Sequence, residues 1–191
     1  MIGHNGGPSA EPGASWRRHC WSRAREALLP RLPIEVVRLR VRRAAEIGLD
    51  YRTYAGVRAT TGHDIVAFLF SSNALRLLRE GERLDAARAE KLAATQNLAR
   101  LLAAQSPLCP EALRADLAGQ GVVFAAATRA PGLGESWGET RRRLLGFLAA
   151  QRSPADRVLV IGDTALERGW AEAARMVGFL PAERYFGGGP G

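Results

Sequence analysis

The chain has little of what builds a metal or disulfide framework. Its 191 residues include two cysteines, Cys20 and Cys109, far apart and in no Cys-x-x-Cys pair. That spacing argues against a disulfide scaffold and against a cysteine-based zinc site. The three histidines, His4, His19 and His63, bring no second ligand type at metal-binding spacing. Long apolar runs are missing too. The longest, IVAFLF (65–70) and VVFAAA (122–127), fall far short of the roughly 20 residues that span a bilayer. No membrane partner is expected, and without an apolar stretch resembling a signal peptide the expected location is the cytoplasm. Lysine is nearly absent: Lys91 stands alone among 27 basic residues. A GC-rich genome also produces that bias, so the charge carries the argument and the choice of arginine does not.

What is present is an uneven positive charge. The formal net charge is +8, and residues 1–60 hold 11 arginines against five acids, while residues 61–191 are close to balance. A field concentrated in one third of a chain points to an anionic partner, nucleic acid or another polyanion. The competing reading is a solvated arginine face.

Residues 1–14, rich in Gly and Pro, read as a flexible leader. Residues 15–60 read as a basic helical segment. Ser15 can cap a helix carrying Trp16, Cys20, Ala24 and Leu28, and Pro33 suits the first turn of a second helix. On that second helix Ile34, Val37, Val41, Ala44 and Ala45 make one face. Residues 37–43 also alternate apolar and basic, which leaves a strand open, but Gly48 followed by Leu49 is a helix stop of Schellman type. Asp50 then caps a short helix with Tyr51, Tyr54 and Val57. Helix, Gly-centred turn and short helix outline a helix-turn-helix, which any tightly turned helix pair also satisfies. The candidate nucleic-acid contacts are Arg38, Arg40, Arg42, Arg43, Arg52 and Arg58, with Thr53 beside them.

From residue 61 to 186 the texture is that of an α/β domain, with 187–191 as a loose tail. DIVAFLF (64–70), GVVFAAAT (121–128) and RVLVIG (157–162) read as buried strands. Residues 84–105, 110–118, 139–151 and 165–177 read as helices, the last with the apolar stripe Leu166, Trp170, Ala173 and Val177. Alternation of this kind implies right-handed crossovers and a mainly parallel sheet of three to four strands flanked by helices.

Ligands of such sheets bind beyond the carboxyl ends of the strands. Those ends carry Ser71, Ser72 and Asn73, then Thr128 and Arg129, then Gly162, Asp163 and Thr164. VVFAAAT resembles the second motif of the haloacid-dehalogenase superfamily of phosphohydrolases, and IGDTALE resembles its fourth. The resemblance covers roughly residues 64–180. It implies phosphoryl contacts from Thr128, Mg²⁺ ligation by Asp163 and Glu167, and a basic third motif among Arg141, Arg142 and Arg143. The family's first motif, Asp-x-Asp, is absent, with Ser71 and Asn73 where its carboxylates belong. Serine is no carboxylate nucleophile and asparagine cannot exchange a proton as aspartate does. A second reading of the fourth motif needs no metal: Thr164, Ala165, Leu166 and Glu167 fit the capping box T-x-x-E, with Asp163 at the positive helix end. The leader GHNGGP, followed by a Trp-bearing segment and RAAEIGLDYRTY, resembles small uncharacterised proteins of bacteria and their phages over residues 2–58. That resemblance implies no activity.

The expectation is a non-catalytic cytoplasmic α/β protein with a basic N-terminal segment for an anionic partner and no cofactor. The alternative is a phosphate-handling enzyme using Asp163, Thr128 and Ser71, with Mg²⁺.

Overall fold

The computed structural model describes residues 32–187. The leader, the helix read over Trp16 to Leu28, His4, His19, Cys20 and the last four residues lie outside the described residues. The chain divides into two compact units, residues 1–38 and 39–191. Of the first, the described part is the opening of helix α1 (Ile34–Glu46), where Pro33 accepts from the backbone N–H of Val36 and Val37 and Arg38 pairs with Glu35.

The second unit continues α1 and adds α2 (Tyr51–Thr61), β1 (Ala67–Ser71), α3 (Ala86–Ala94), β2 (Ala99–Ala104), α4 (Pro110–Gly119) and β3 (Ala126–Arg129). It is completed by α5 (Trp137–Ala150), a 3₁₀ turn (Ala155–Arg157), β4 (Val158–Gly162), α6 (Ala165–Ala173), β5 (Gly178–Pro181) and α7 (Ala182–Gly187). The five strands form one parallel sheet in the order β3-β2-β1-β4-β5.

The central strands β1 and β4 are buried at every residue, and their side chains alternate between two cores. Phe68, Phe70, Leu159 and Ile161 enter one core with Ala44, Ile47, Tyr54, Leu92, Leu117 and Tyr185. Ala67, Leu69, Val158 and Val160 enter the other with Leu144, Leu148 and Trp170. Helices α1 to α4 and α7 therefore cover one face, and α5 and α6 the other. The first core is closed by edge-to-face rings: Phe68 with Tyr185 at 5.5 Å between centroids and Phe70 with Phe124 at 5.8 Å.

Local chemistry sets the element ends. Leu49 N–H donates to Ala44 carbonyl and Gly48 N–H to Ala45 carbonyl, with Gly48 at φ +71°, which is the Schellman stop read from the sequence. Asp50 caps α2 through Thr53 N–H at 2.8 Å. Ala44 is the buried residue of α1 and Ile47 is buried in the turn after it, while Val41 and Ala45 are exposed. Ala44, Ile47, Leu49 and Tyr54 sit in the same core as β1, within the compact unit that begins at Leu39.

Two strands depart from the sequence reading. Residues 84–105 are not one helix. Asp85 caps α3 through Ala87 and Arg88 N–H, the helix stops at Thr95, Asn97 takes a left-handed φ of +53°, and ARLLAA becomes β2. Ala and Leu favour helix in isolation, but the slot between β1 and β3 rewards small apolar side chains over local propensity. Likewise α6 ends at Ala173 and Gly178 opens β5 instead of ending a helix at residue 177. In the stretch 121–128 only Ala126 onward pairs as strand; Val122 and Phe124 are buried in the loop before it.

Candidate functional site

From β1 the chain winds through α3 to β2 and through α4 to β3. It then crosses by α5 to the opposite side of β1, placing β4 there. Between β1 and β4 the winding reverses, and beyond the carboxyl ends of such a strand pair lies the crevice where open α/β sheets hold ligands. Ser71, Ser72 and Asn73 leave β1 at that point, and Gly162, Asp163 and Thr164 leave β4.

The side chains there are engaged with each other. Glu167, on the first turn of α6, is fully buried. Its Oε2 accepts from Asp163 N–H at 2.6 Å and Thr164 N–H at 2.8 Å, and its Oε1 accepts from Asn73 Nδ2 at 2.9 Å. Thr164 Oγ1 accepts in return from Glu167 N–H, completing the capping box. Ser71 and Ser72 are wholly buried. Ser71 Oγ accepts from Ala74 N–H and Ser72 Oγ from Gln105 N–H, each at 3.0 Å. The backbone of Gly162 is pressed close: a Cβ there would lie 2.7 Å from Glu167 Oε2 and 2.8 Å from the Phe179 ring. Glycine is required at 162 by contact, not by conformation.

Three of the sequence candidates are thus brought to one place: Ser71, Asp163 and Glu167. Thr128 is not with them. It stands in the row Ser71, Ala103, Thr128 across β1, β2 and β3, two strand spacings or roughly 10 Å from Ser71. The strand beside Ser71 is β2, and the residues that follow it, Gln105 and Ser106, were hidden from the sequence reading because the preceding ARLLAA was taken as helix. Arg141 donates to Ala173 carbonyl, Arg142 to Gly138 carbonyl and Arg143 to Glu135.

The residues present do not fit a divalent cation. Among the described residues, no group of three or more His, Cys, Asp and Glu could hold one. Asp163 is exposed, but Glu167 would have to release Asn73 and two backbone N–H groups to turn toward a metal. Divalent cations are held by several oxygens at once, and an amide Nδ2 pointed at the carboxylate occupies the place where an ion would stand. Positions 71 and 73 carry a buried hydroxyl and an amide, not carboxylates.

No family model matches this chain, and no curated protein does either. One solved structure, an uncharacterised protein from Corynebacterium glutamicum ATCC 13032 Kitasato, is 18% identical with a TM-score of 0.43, covering 66% of this chain and 98% of that one.

The second set of candidates lies on α1 and α2. Arg43 is engaged: its Nε donates to Asp64 at 3.0 Å, Nη1 to Glu46 at 3.4 Å, and Nη2 to the carbonyls of Ile65 and Asn97. With every nitrogen of its guanidinium turned inward, it ties α1 to the start of β1. Asp64 also accepts from Tyr54 Oη at 2.8 Å. Burial, then that hydrogen bond and the Asp64 charge, push the Tyr54 phenol up to about 12. Asp64 is therefore a junction of the fold; His63 beside it approaches Asp156 at 3.7 Å. Arg58 is half-buried with its Nε shut off from solvent. Thr53 is held between Asp50 and Arg184. Arg40, Arg42 and Arg52 are different: none has a hydrogen bond or ion pair among the described residues, and Arg42 and Arg52 are exposed.

Proposed function

We propose that this is a non-catalytic α/β protein that engages nucleic acid or another polyanion through its basic N-terminal segment. The observation that supports it best is the set of arginines on α1 and α2, Arg40, Arg42 and Arg52, without carboxylate partners among the described residues. A guanidinium offers five N–H donors in a planar fork suited to phosphate. Arg38 joins them in sequence but pairs with Glu35, so it contributes less. Arg43 is left out of the proposed contact set, because its role in the fold uses the same donors. The uneven charge of residues 1–60 supports the same reading.

Binding of a labelled duplex DNA and of a single-stranded RNA, each measured across a salt series, tests the proposal. Affinity falls steeply with salt, and Arg42→Ala and Arg52→Ala each reduce the log–log slope by about one for duplex DNA. Salt-insensitive binding, or full affinity in the triple variant with Arg40→Ala added, rejects it. Point substitutions are needed because deleting residues 1–60 removes Ala44, Ile47 and Tyr54 from the core.

The alternative, a phosphate-handling or degenerate phosphohydrolase site of haloacid-dehalogenase-like fold, is favoured by the meeting of Ser71, Asn73 and Asp163 at the β1–β4 crevice. It requires phosphate or Mg²⁺ to raise the unfolding temperature through Asp163. The bonded state of Glu167 supports the first reading over this one.

A further inference from the structure

On the far side of the molecule from α5, a groove of about 400 Å³ runs between α2 and the β4–β5 edge of the sheet. Its floor is apolar, made of Leu159, Val177 and Leu180, and Arg52 and Arg184 stand at its rim. We infer that this groove is a binding site for a small amphipathic anion, a carboxylate or phosphate monoester head on an apolar body of several carbons.

Three observations carry it. The lining contains two guanidinium groups and no carboxylate, so the groove is complementary to an anion at one place and to hydrocarbon elsewhere. Pockets of this size and mixed character are the usual hosts of small organic ligands. Arg184 is also pre-positioned. Its Nη2 donates to Thr53 Oγ1 at 2.8 Å, and that hydroxyl donates to Asp50 at 2.6 Å. Among the described residues its other N–H donors have no partner, and Arg52 has none at all. One guanidinium held by Thr53 and a second with all its donors available suit the paired oxygens of a carboxylate or phosphate.

Gly56 supplies the third. It sits mid-helix on α2 and lines the groove, where an interior glycine costs about 1 kcal/mol of helix stability relative to alanine. No φ requirement explains it, and a Cβ there would meet nothing within 4 Å. Position 56 is therefore a part of the lining where a longer side chain has room, and a leucine there tests whether the groove must stay clear for a ligand.

The site does not rest on the polyanion reading. Arg40 and Arg42 do not line the groove, and the ligand is a small molecule whose apolar part matters. Calorimetric titration of the full chain with octanoate and octyl phosphate, each below its micelle concentration, tests it, with octanol and inorganic phosphate as partial ligands. Saturable one-to-one binding by at least one of the two anions is expected, and the tighter of the two identifies the head group. Octanol and phosphate should each bind about tenfold more weakly or less, since each lacks half of the recognition. Gly56→Leu should abolish binding while the unfolding temperature holds or rises, and Arg52→Gln should weaken it by about tenfold. A variant with Arg40→Ala and Arg42→Ala should bind the tighter of the two anions as the parent chain does. No binding by either anion overturns the inference. So does octanol or inorganic phosphate binding as tightly as the anions, full binding by Gly56→Leu, or a loss in the Arg40/Arg42 variant equal to that of Arg52→Gln.

Discussion

At residue 73 an amide faces a buried carboxylate. Asn73 Nδ2 donates to Glu167 Oε1, and the amide brings no second carboxylate beside the fully buried Glu167. Asn73→Asp replaces a donor by a second carboxylate. Two carboxylates in contact repel while both are ionised, so the variant should lose about 3 kcal/mol at neutral pH, the charged-group end of the penalty for an unmet buried polar atom. The sign with pH follows. As pH falls into the carboxylate range one of the pair takes a proton, its O–H can donate to the other, and the deficit shrinks. Urea unfolding at neutral and at mildly acidic pH measures it. Equal stability of variant and parent at neutral pH would show that the Asn73–Glu167 bond is not made. The capping box Thr164/Glu167 was legible in sequence because both partners lie within one helical turn. Asn73, 94 residues away in sequence, was not, since nothing local announces that it closes on Glu167.

At the scale of elements, two glycines at similar positions in the sequence text behave in opposite ways. Gly146 is interior to α5, exposed, with open space where its Cβ would be. Gly146→Ala should therefore stabilise the protein by about 0.5–1 kcal/mol. Gly162, at the end of β4, has no such room; Gly162→Ala should destabilise it by about 1–3 kcal/mol, as overpacking does. Thermal unfolding of the two variants side by side checks both signs. The elements themselves were read with uneven success, for a physical reason. Helices with a cap and a stop, such as α1 and α2 with Gly48 and Asp50, carry their boundaries in local chemistry. β1 and β4 announce themselves as β-branched and aromatic apolar runs. β2 does not: ARLLAA has helix-forming residues and becomes strand only because the sheet holds a place for it. The marks that could have shown it are Thr95, Gln96 and Asn97, a polar break in an otherwise helical run. β5 and α7 were missed because GFLP and AERYF are too short for any period to register.

For the whole molecule, the α/β class and the parallel sheet were readable from alternation alone, and the strand count was not. The strand order then decides what the sequence could not, which strand ends are neighbours. It puts Ser71 beside Asp163 and separates both from Thr128. It also shows why charge and chemistry part company. Among the candidate arginines, Arg40, Arg42 and Arg52 stand on α1 and α2 without partners, while Glu167 at the crevice is locked into the fold.

One feature of that packing has a practical use. The sole lysine, Lys91 on α3, donates to the Tyr185 carbonyl on α7 and lies 4.8 Å from the centre of the Tyr185 ring, and burial lowers its pKa. Amine-directed reagents, and enzymes that acylate lysine, therefore find a single side-chain target that is half shielded. Acylation of Lys91 by a succinimidyl ester, followed by intact mass against time, should be about tenfold or more slower in the native protein than after denaturation, tracking how often α7 lifts from α3. Equal rates would mean that the two helices do not hold the amine. A chain almost emptied of lysine thus carries one built-in reporter, a chemical clock for the opening of its last helix.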